Sequence, residues 1–580
     1  MTLDPWRPIG DRRYLGTDTS AKYPIYTRGN AGEVFPEVQY PLSFTQSWEL
    51  SRRAFQRSST IGGVVTDADF VNEPNAFTGV FGGYTYLNLS TLRLMAARVP
   101  GVKVDIVDQQ VLGSSSAPPY VRQKGDRNIR AALSALRYGL HNLKQTTLPQ
   151  LDADEAKARE WIASLPALAA ATNAELLDRC RGAQQFVADL FENHLVVSGG
   201  LAVPLGMMSQ LCEKRLKDPS MLGRLIVGSG GIASAAPAAA LWDLGRLVAA
   251  SPAVTAQFDA GVSGLPTRLA SDPAASAFCV AFDRFLDEHG CRGPNEWETA
   301  CPTWGTDPEL ALALVDRMRG AADDHDPKRR HDALVHDREA AIAEAAKKLG
   351  PFGRRRLRRL IASTALYSQG RERAKTTVVR VIHGNRMLLR ELGRRCAARC
   401  GGRPDDLWFV TAQELDAYVA DPGRFAGVVA ERRETRELLA SREPPFIIDG
   451  VVPPFETWAR RDAPTFDTVK IGQVLPGIGG CPGVARGRAR VVLDPGDPRD
   501  IGPGDVLVAP LTDPSWTPLF VPVEAVVVDV GAMLSHAVIV SRELGIPAVV
   551  SVTGATKLIP DGALIEVNGT QGTVTILELP

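Results

Sequence analysis

The chain has 580 residues and a mass of 62.4 kDa, enough for roughly three or four domains. Lys+Arg and Asp+Glu are both 66, so no overall field points to a nucleic acid or a membrane surface as partner. The eight cysteines form no CxxC pair, and the opening Met-Thr-Leu-Asp-Pro-Trp is neither basic nor followed by an apolar stretch, so reduced thiols in a cytoplasmic protein are expected.

Residues 1–130 are mixed and rich in loops. PLSFTQSWELSRRAF, Pro41 to Phe55, reads as a turn running into a helix. In FGGYTYLNLSTLRLMAARVPGV, Tyr84 and Tyr86 alternate with Leu87 and Leu89, a strand signal that gives way to helical spacing. From about Arg127 to Ala440 apolar residues recur every 3.6 positions, and stops come at proline and glycine. GGIASAAPAAALWDLGRLVAA is the most apolar segment, but Pro237, Asp243 and Arg246 interrupt it, so it is expected to be a half-buried helix and not a membrane span. Its neighbour GSGG, Gly228–Gly231, reads as a turn. Arg354 to Arg399 could be one long helix or two. Pro444 to Thr465 is proline-rich and expected to be irregular, a linker or a strap.

After Gly479 the texture changes. RARVVL, DVLVAP, EAVVVDV, PAVVS, ALIEVN and GTVTIL are short β-branched runs separated by turn residues, which predicts a compact α/β unit. From Gly479 to Pro580 there are 6 basic and 11 acidic residues, net −5, which leaves 60 against 55, net +5, for the rest. One clear helix is expected here, opened by Ser535-His536, stopped by Gly545 and followed by Pro547. Ser535 is the expected N-cap. His536 then sits at a helix N-terminus, where unpaired N–H groups and the dipole favour an attached anion. Its neutral imidazole is a competent nucleophile near pH 7. A histidine placed there for packing alone is the other reading.

GCPGVARGRARVV, LTDPSWTPLF and VGAMLSHAVIVSRELGIPAVV follow one another as in the mobile phosphohistidine domain of PEP-utilizing enzymes, and residues 479–580 resemble that domain throughout. The superfamily includes PEP synthase, pyruvate phosphate dikinase, rifampin phosphotransferase and the phenylphosphate synthases. The resemblance implies that His536 takes a phosphoryl group from ATP and carries it to a second site. One departure is Gly531-Ala532, where the family has Gly-Gly; a backbone needing glycine's freedom would make Ala532 costly. FLDEHGCRGPNEWETACPTWGTDPEL, with Arg292 and Glu296, resembles the substrate domain of rifampin-phosphotransferase-like proteins. YSQGRERAKTTVVRVIHGNRMLLRELG resembles its Arg-Glu-x-x-Lys helix, which falls on Arg371, Glu372 and Lys375. Arg371 and Lys375 are i,i+4 neighbours on a helix, able to offset the charge of a phosphoryl group while Glu372 deprotonates a hydroxyl. A solvated charged face is the alternative reading of that helix.

The fold class expected is multidomain α and α/β. A mostly helical acceptor-binding body spans 1–465, a linker 466–478, and a swivelling phosphohistidine domain 479–580. No ATP-grasp domain or GxxxxGK[ST] loop is visible, so ATP and Mg²⁺ are expected on a separate ATP-grasp subunit, and the acceptor is expected to be a small hydroxyl compound, preferably a phenol. His383 is a second base candidate, and Phe44, Trp48, Tyr84 and Tyr86 are expected to wall the acceptor pocket. His325, His331 and His336 do not share one helix face, and Cys396 and Cys400 lack further ligands nearby, so no metal site is expected. A rifampin-type antibiotic phosphotransferase, a phosphorylation-coupled dehydratase component, and a non-catalytic binding protein retaining the fold are the rival readings.

Overall fold

The computed structural model describes residues 18–580 except 74, 113–116, 124, 228–235, 324–325, 462–468, 495–500, 513–515 and 532–534. The GSGG turn, His325, Ala532 and the first residues of the expected linker therefore lie outside the described residues.

The amino-terminal part builds a small antiparallel sheet. Its strands are β1 (Ile25–Thr27), β2 (Thr78–Phe81), β3 (Tyr84–Asn88) and β4 (Ile447–Asp449), in the order β2-β3-β1-β4. The proline-rich stretch after Pro444 is thus a strap: it returns about 420 residues later in sequence to pair Ile448 with Tyr26. Between β1 and β2 lie a single-turn helix α1 (Ala31–Val34) and the longer α2 (Pro41–Ile61), the latter with proline at its first position.

Long helices form the body. Helix α3 (Asn173–Leu211) starts with a capping box in which Thr172 and Glu175 exchange bonds. Helices α4 (Ala236–Ala249), α5 (Pro308–Arg319) and α6 (Pro327–Lys347) follow, and then α7 (Pro351–Cys400), a single helix of 50 residues. Among the described residues one stretch, Asn173–Leu216, is long and apolar enough to cross a membrane. In the fold its Leu176, Leu177 and Cys180 pack with Leu388, Leu389 and Leu392 of α7. A Cβ on Gly200 of α3 would lie 2.4 Å from the Tyr367 ring of α7, so glycine there sets how closely the two helices cross.

The carboxy-terminal part is a mixed eight-stranded sheet. It comprises β5 (Val474–Pro476), β6 (Ile478–Cys481), β7 (Val484–Val491), β8 (Asp505–Ala509), β9 (Ala525–Val528), β10 (Ala548–Val550), β11 (Leu564–Asn568) and β12 (Thr573–Glu578). The order is β5-β12-β11-β7-β8-β9-β10-β6, with β7 to β10 parallel. The expected linker is corrected by β5, which occupies 474–476 and pairs with β12; its Leu475 is needed to fill the same core as Ile576 and Val574. Along β8, Val506 and Val508 enter that core, whereas Leu507 and Ala509 face the opposite side, the two-residue alternation of a strand covered on both faces. That opposite side is one continuous apolar cluster with Leu241 and Trp242 of α4 and Leu312 and Val315 of α5. The α/β unit is therefore docked on the helical body through buried apolar surface.

Candidate active site

Helix α8 (His536–Leu544) opens the site. Gly545 ends it at φ 68°, the left-handed stop for which glycine is suited. Ser535 precedes the helix, but its side chain makes no capping bond, and its buried hydroxyl has no hydrogen-bond partner among the described residues. The side-chain cap expected of Ser535 is therefore corrected. Instead, the backbone N–H of His536 donates to the carboxylate of Glu33, from α1 at the other end of the sequence.

The His536 ring is held from both sides. Thr512 Oγ1 lies 3.1 Å from Nδ1 and Thr517 Oγ1 3.1 Å from Nε2, with Phe520 edge-on at 6.1 Å. Burial holds the imidazole well below its usual titration range, and Lys375, Arg292 and Arg371 push it further down. The ring is therefore neutral near pH 7 and keeps a nucleophilic lone pair.

A cavity of about 100 Å³ lies between α8 and the body. It is lined by Asn30, Glu33, His194, Asn295, Glu296, Trp297, Arg371, Glu372, Lys375, Thr512 and His536, with Val34 and Ile539. Residues from six parts of the chain meet here. Of the residues singled out in the sequence, His536, Arg371, Glu372, Lys375 and Glu296 are brought together, and Arg292 stands directly behind them. Arg292 Nη1 is 2.8 Å from Glu296 Oε1, and Lys375 Nζ is 3.2 Å from the same oxygen. Arg292 and Glu296 are each 1% exposed, so this pair is mutually dependent. Glu296 Oε2 is buried without a hydrogen-bond partner among the described residues, an acceptor left over at the cavity wall. Glu372 is buried and its Oε1 is 3.9 Å from Arg371 Nε. Burial opposes its charge most, but Arg371, Lys375 and Arg292 together hold its carboxyl below the usual range.

Other expected site residues lie elsewhere. His383 is not a cavity residue: its Nδ1 faces Thr303 Oγ1 at 3.2 Å and Arg386 Nη1 at 3.3 Å, and burial pushes it down to about 3. From Glu372 the helix has turned it toward the Thr303 loop. Phe44, Trp48, Tyr84 and Tyr86 belong to the core around the amino-terminal sheet and do not wall the cavity. They are one layer behind it: the Arg28 guanidinium lies 5.2 Å from the Tyr84 ring centre and 5.7 Å from that of Tyr86. Arg28 in turn donates to the Phe35 and Pro36 carbonyls at 2.8 and 3.1 Å, which pins the exit of α1.

Sequence reasoning missed Glu33, Asn30, His194 and Asn295. Asn30 and Asn295 both have positive φ, 62° and 53°, uncommon outside glycine and often found at functional sites. His194 packs against Phe191 and Trp297, its Nδ1 is buried without a partner among the described residues, and burial pushes it down to about 3. Glu33, Asn30 and His194 belong to no motif singled out in the sequence, and Asn295 lies inside the Arg292–Glu296 stretch without a signal of its own, so only their convergence marks them.

Two segments of the chain match family models. Residues 194–372 match the model described as the rifampicin phosphotransferase fourth domain, and residues 501–572 match that of the PEP-utilising enzyme mobile domain. The chain fits the PEP-utilising enzyme family. It is 26% identical over 589 residues to the prodigiosin synthesizing transferase PigC of Serratia marcescens, covering 95% of this chain and 63% of that protein. It is 30% identical over 412 residues to a rifampicin phosphotransferase of a Streptomyces species, covering 68% of this chain and 46% of that protein. The chain thus spans less than two thirds of these relatives. The first matched segment begins at His194 and ends at Glu372, two cavity residues, and the second contains His536.

Proposed function

We propose that this chain is the phosphohistidine-carrying and acceptor-binding part of an ATP-dependent phosphotransferase. The observation that carries the reading is the shared cavity: a neutral His536 imidazole opens on the same space as Arg371, Lys375 and Glu372. Two cations on one helix face suit a transferring phosphoryl group, because they offset charge without needing to move during the reaction.

In the first half-reaction the γ- or β-phosphoryl of ATP passes to His536. ATP and Mg²⁺ are placed on a separate ATP-grasp subunit, because neither an ATP-grasp stretch nor a GxxxxGK[ST] loop is visible in these 580 residues. In the second, the docked domain presents the phosphoryl group to a hydroxyl compound. The cavity is small, and Trp297 and His194 offer ring faces beside the polar groups, which supports a compact aromatic alcohol such as a phenol. PigC, aligned along almost the whole chain, is named a prodigiosin synthesizing transferase; that favours, as a second reading, an acceptor used in small-molecule synthesis over an antibiotic.

The test uses ATP labelled at the β or γ position, a candidate ATP-grasp partner and this chain. Acid-labile label on the wild type, absent from His536→Ala, is the expected result; label then moves to a phenol added in the second step. No label with a competent partner present would favour the non-catalytic binding reading.

A further inference from the structure

The expected base, Glu372, sits among three cations. Arg371, Lys375 and Arg292 all draw its carboxyl toward the ionised, weakly basic state. A base so stabilised accepts a proton poorly. The cavity has another carboxylate in a different setting. Glu33 comes from α1, reaches the backbone N–H at the start of α8, and opens on the same space as the His536 ring. Its backbone is positioned from behind by Arg28, through the Phe35 and Pro36 carbonyls.

Building on the phosphotransfer reading above, we propose that Glu33 is the general base that takes the proton from the acceptor hydroxyl as the phosphoryl group leaves His536. In this step the acceptor oxygen forms the new P–O bond and its O–H bond breaks toward a Glu33 oxygen. The P–N bond breaks with its electron pair returning to the ring, which leaves as neutral imidazole because the other ring nitrogen keeps its proton. Arg371 and Lys375 stay with the phosphoryl oxygens. Glu33 later releases the proton to solvent.

The electrostatics fit this role. Burial raises the Glu33 carboxyl to about 7, while Arg371, the His536 N–H and Lys375 pull the other way. The remaining titratable groups facing the cavity are Glu372, Glu296 and His194. A base with that affinity is half-ionised near neutral pH, where proton transfer is efficient. The location also places the base and the phosphoryl donor on one cavity, with the His536 N–H bonded to Glu33.

The experiment avoids the ATP-binding part. The full chain is charged on His536 with phosphoramidate, a small phosphoryl donor, and single-turnover loss of the phosphoryl group is followed from pH 5.5 to 8.5, with phenol and with water alone. The wild-type rate is expected to rise with pH through about 7. Glu33→Gln keeps an oxygen for the His536 N–H but cannot take a proton; it should lose that rise and fall by on the order of 10²-fold or more at pH 8. Glu33→Asp should restore part of the rise, and Glu372→Gln should keep it. A Glu33→Gln profile that still rises through pH 7, or a rise lost in Glu372→Gln instead, overturns the assignment. If the wild type discharges to water but not to phenol, the phenolic acceptor is wrong, and the Glu33 assignment stands or falls on the pH profile of the water reaction.

Discussion

Lys375 Nζ stands 3.2 Å from Glu296 Oε1, the oxygen that also takes the 2.8 Å bond from Arg292. One carboxylate, 1% exposed, therefore holds two cations, of which Lys375 reaches the cavity. Substituting Glu296→Gln leaves Arg292 buried without its counter-charge. We expect a loss of about 3–5 kcal/mol of stability, measured by urea unfolding, and Arg292→Met should cost a similar amount. A Glu296→Gln protein as stable as wild type would show that the pair is not the anchor described here.

Lys375→Met and Arg371→Met remove charge from the transfer site itself. The rate of phosphoryl loss from His536 to an added hydroxyl compound should fall on the order of 10²–10³-fold for either. Single-turnover kinetics with the charged chain reads this directly, and a drop under tenfold in both would remove these cations from the mechanism.

The aromatic residues at the amino-terminal sheet give an opposite expectation. Phe44 stacks on Trp48 with ring centres 5.4 Å apart and is buried in that core. Phe44→Ala should cost about 3–5 kcal/mol and leave acceptor affinity, measured at a temperature where the variant is folded, within about twofold of wild type. A specific loss of affinity without destabilisation would return these rings to the pocket wall.

His383 is pushed down to about 3 by burial, helped by Arg386 and Arg390. Its unfolded counterpart titrates near 6.5, so below that pH the unfolded chain binds a proton that the folded chain refuses. The stability of the wild type relative to His383→Gln should therefore be constant above pH 6.5 and decline below it, by about 1.4 kcal/mol per pH unit. Paired unfolding curves at pH 7.5, 6 and 5 test this; a constant difference would mean that His383 titrates normally.

Most of the α/β tail was legible because six of its strands, from Val484–Val491 onward, carry their own signal. The alternation in DVLVA, the β-branched runs and the turn residues between them are local, and so is the Ser535-to-Gly545 frame of α8. The Arg371–Glu372–Lys375 face was legible for the same reason: helical spacing alone puts Arg371 and Lys375 side by side. The linker was misplaced where a short strand, Val474–Pro476, has only three residues to announce itself.

What the sequence by itself determined is the periodic part: a helical body, an α/β tail, and a histidine at the head of a helix. Only the tertiary structure decided which groups face that histidine. Glu33, His194 and Glu296 come from three separate segments, and no spacing rule links residues whose proximity depends on long-range packing. The cap on α8 makes the point in one bond. Ser535 is the local candidate by type, yet the orphan N–H of His536 is met by Glu33, because docking of the α/β unit on the body brings a distant carboxylate to the end of the helix.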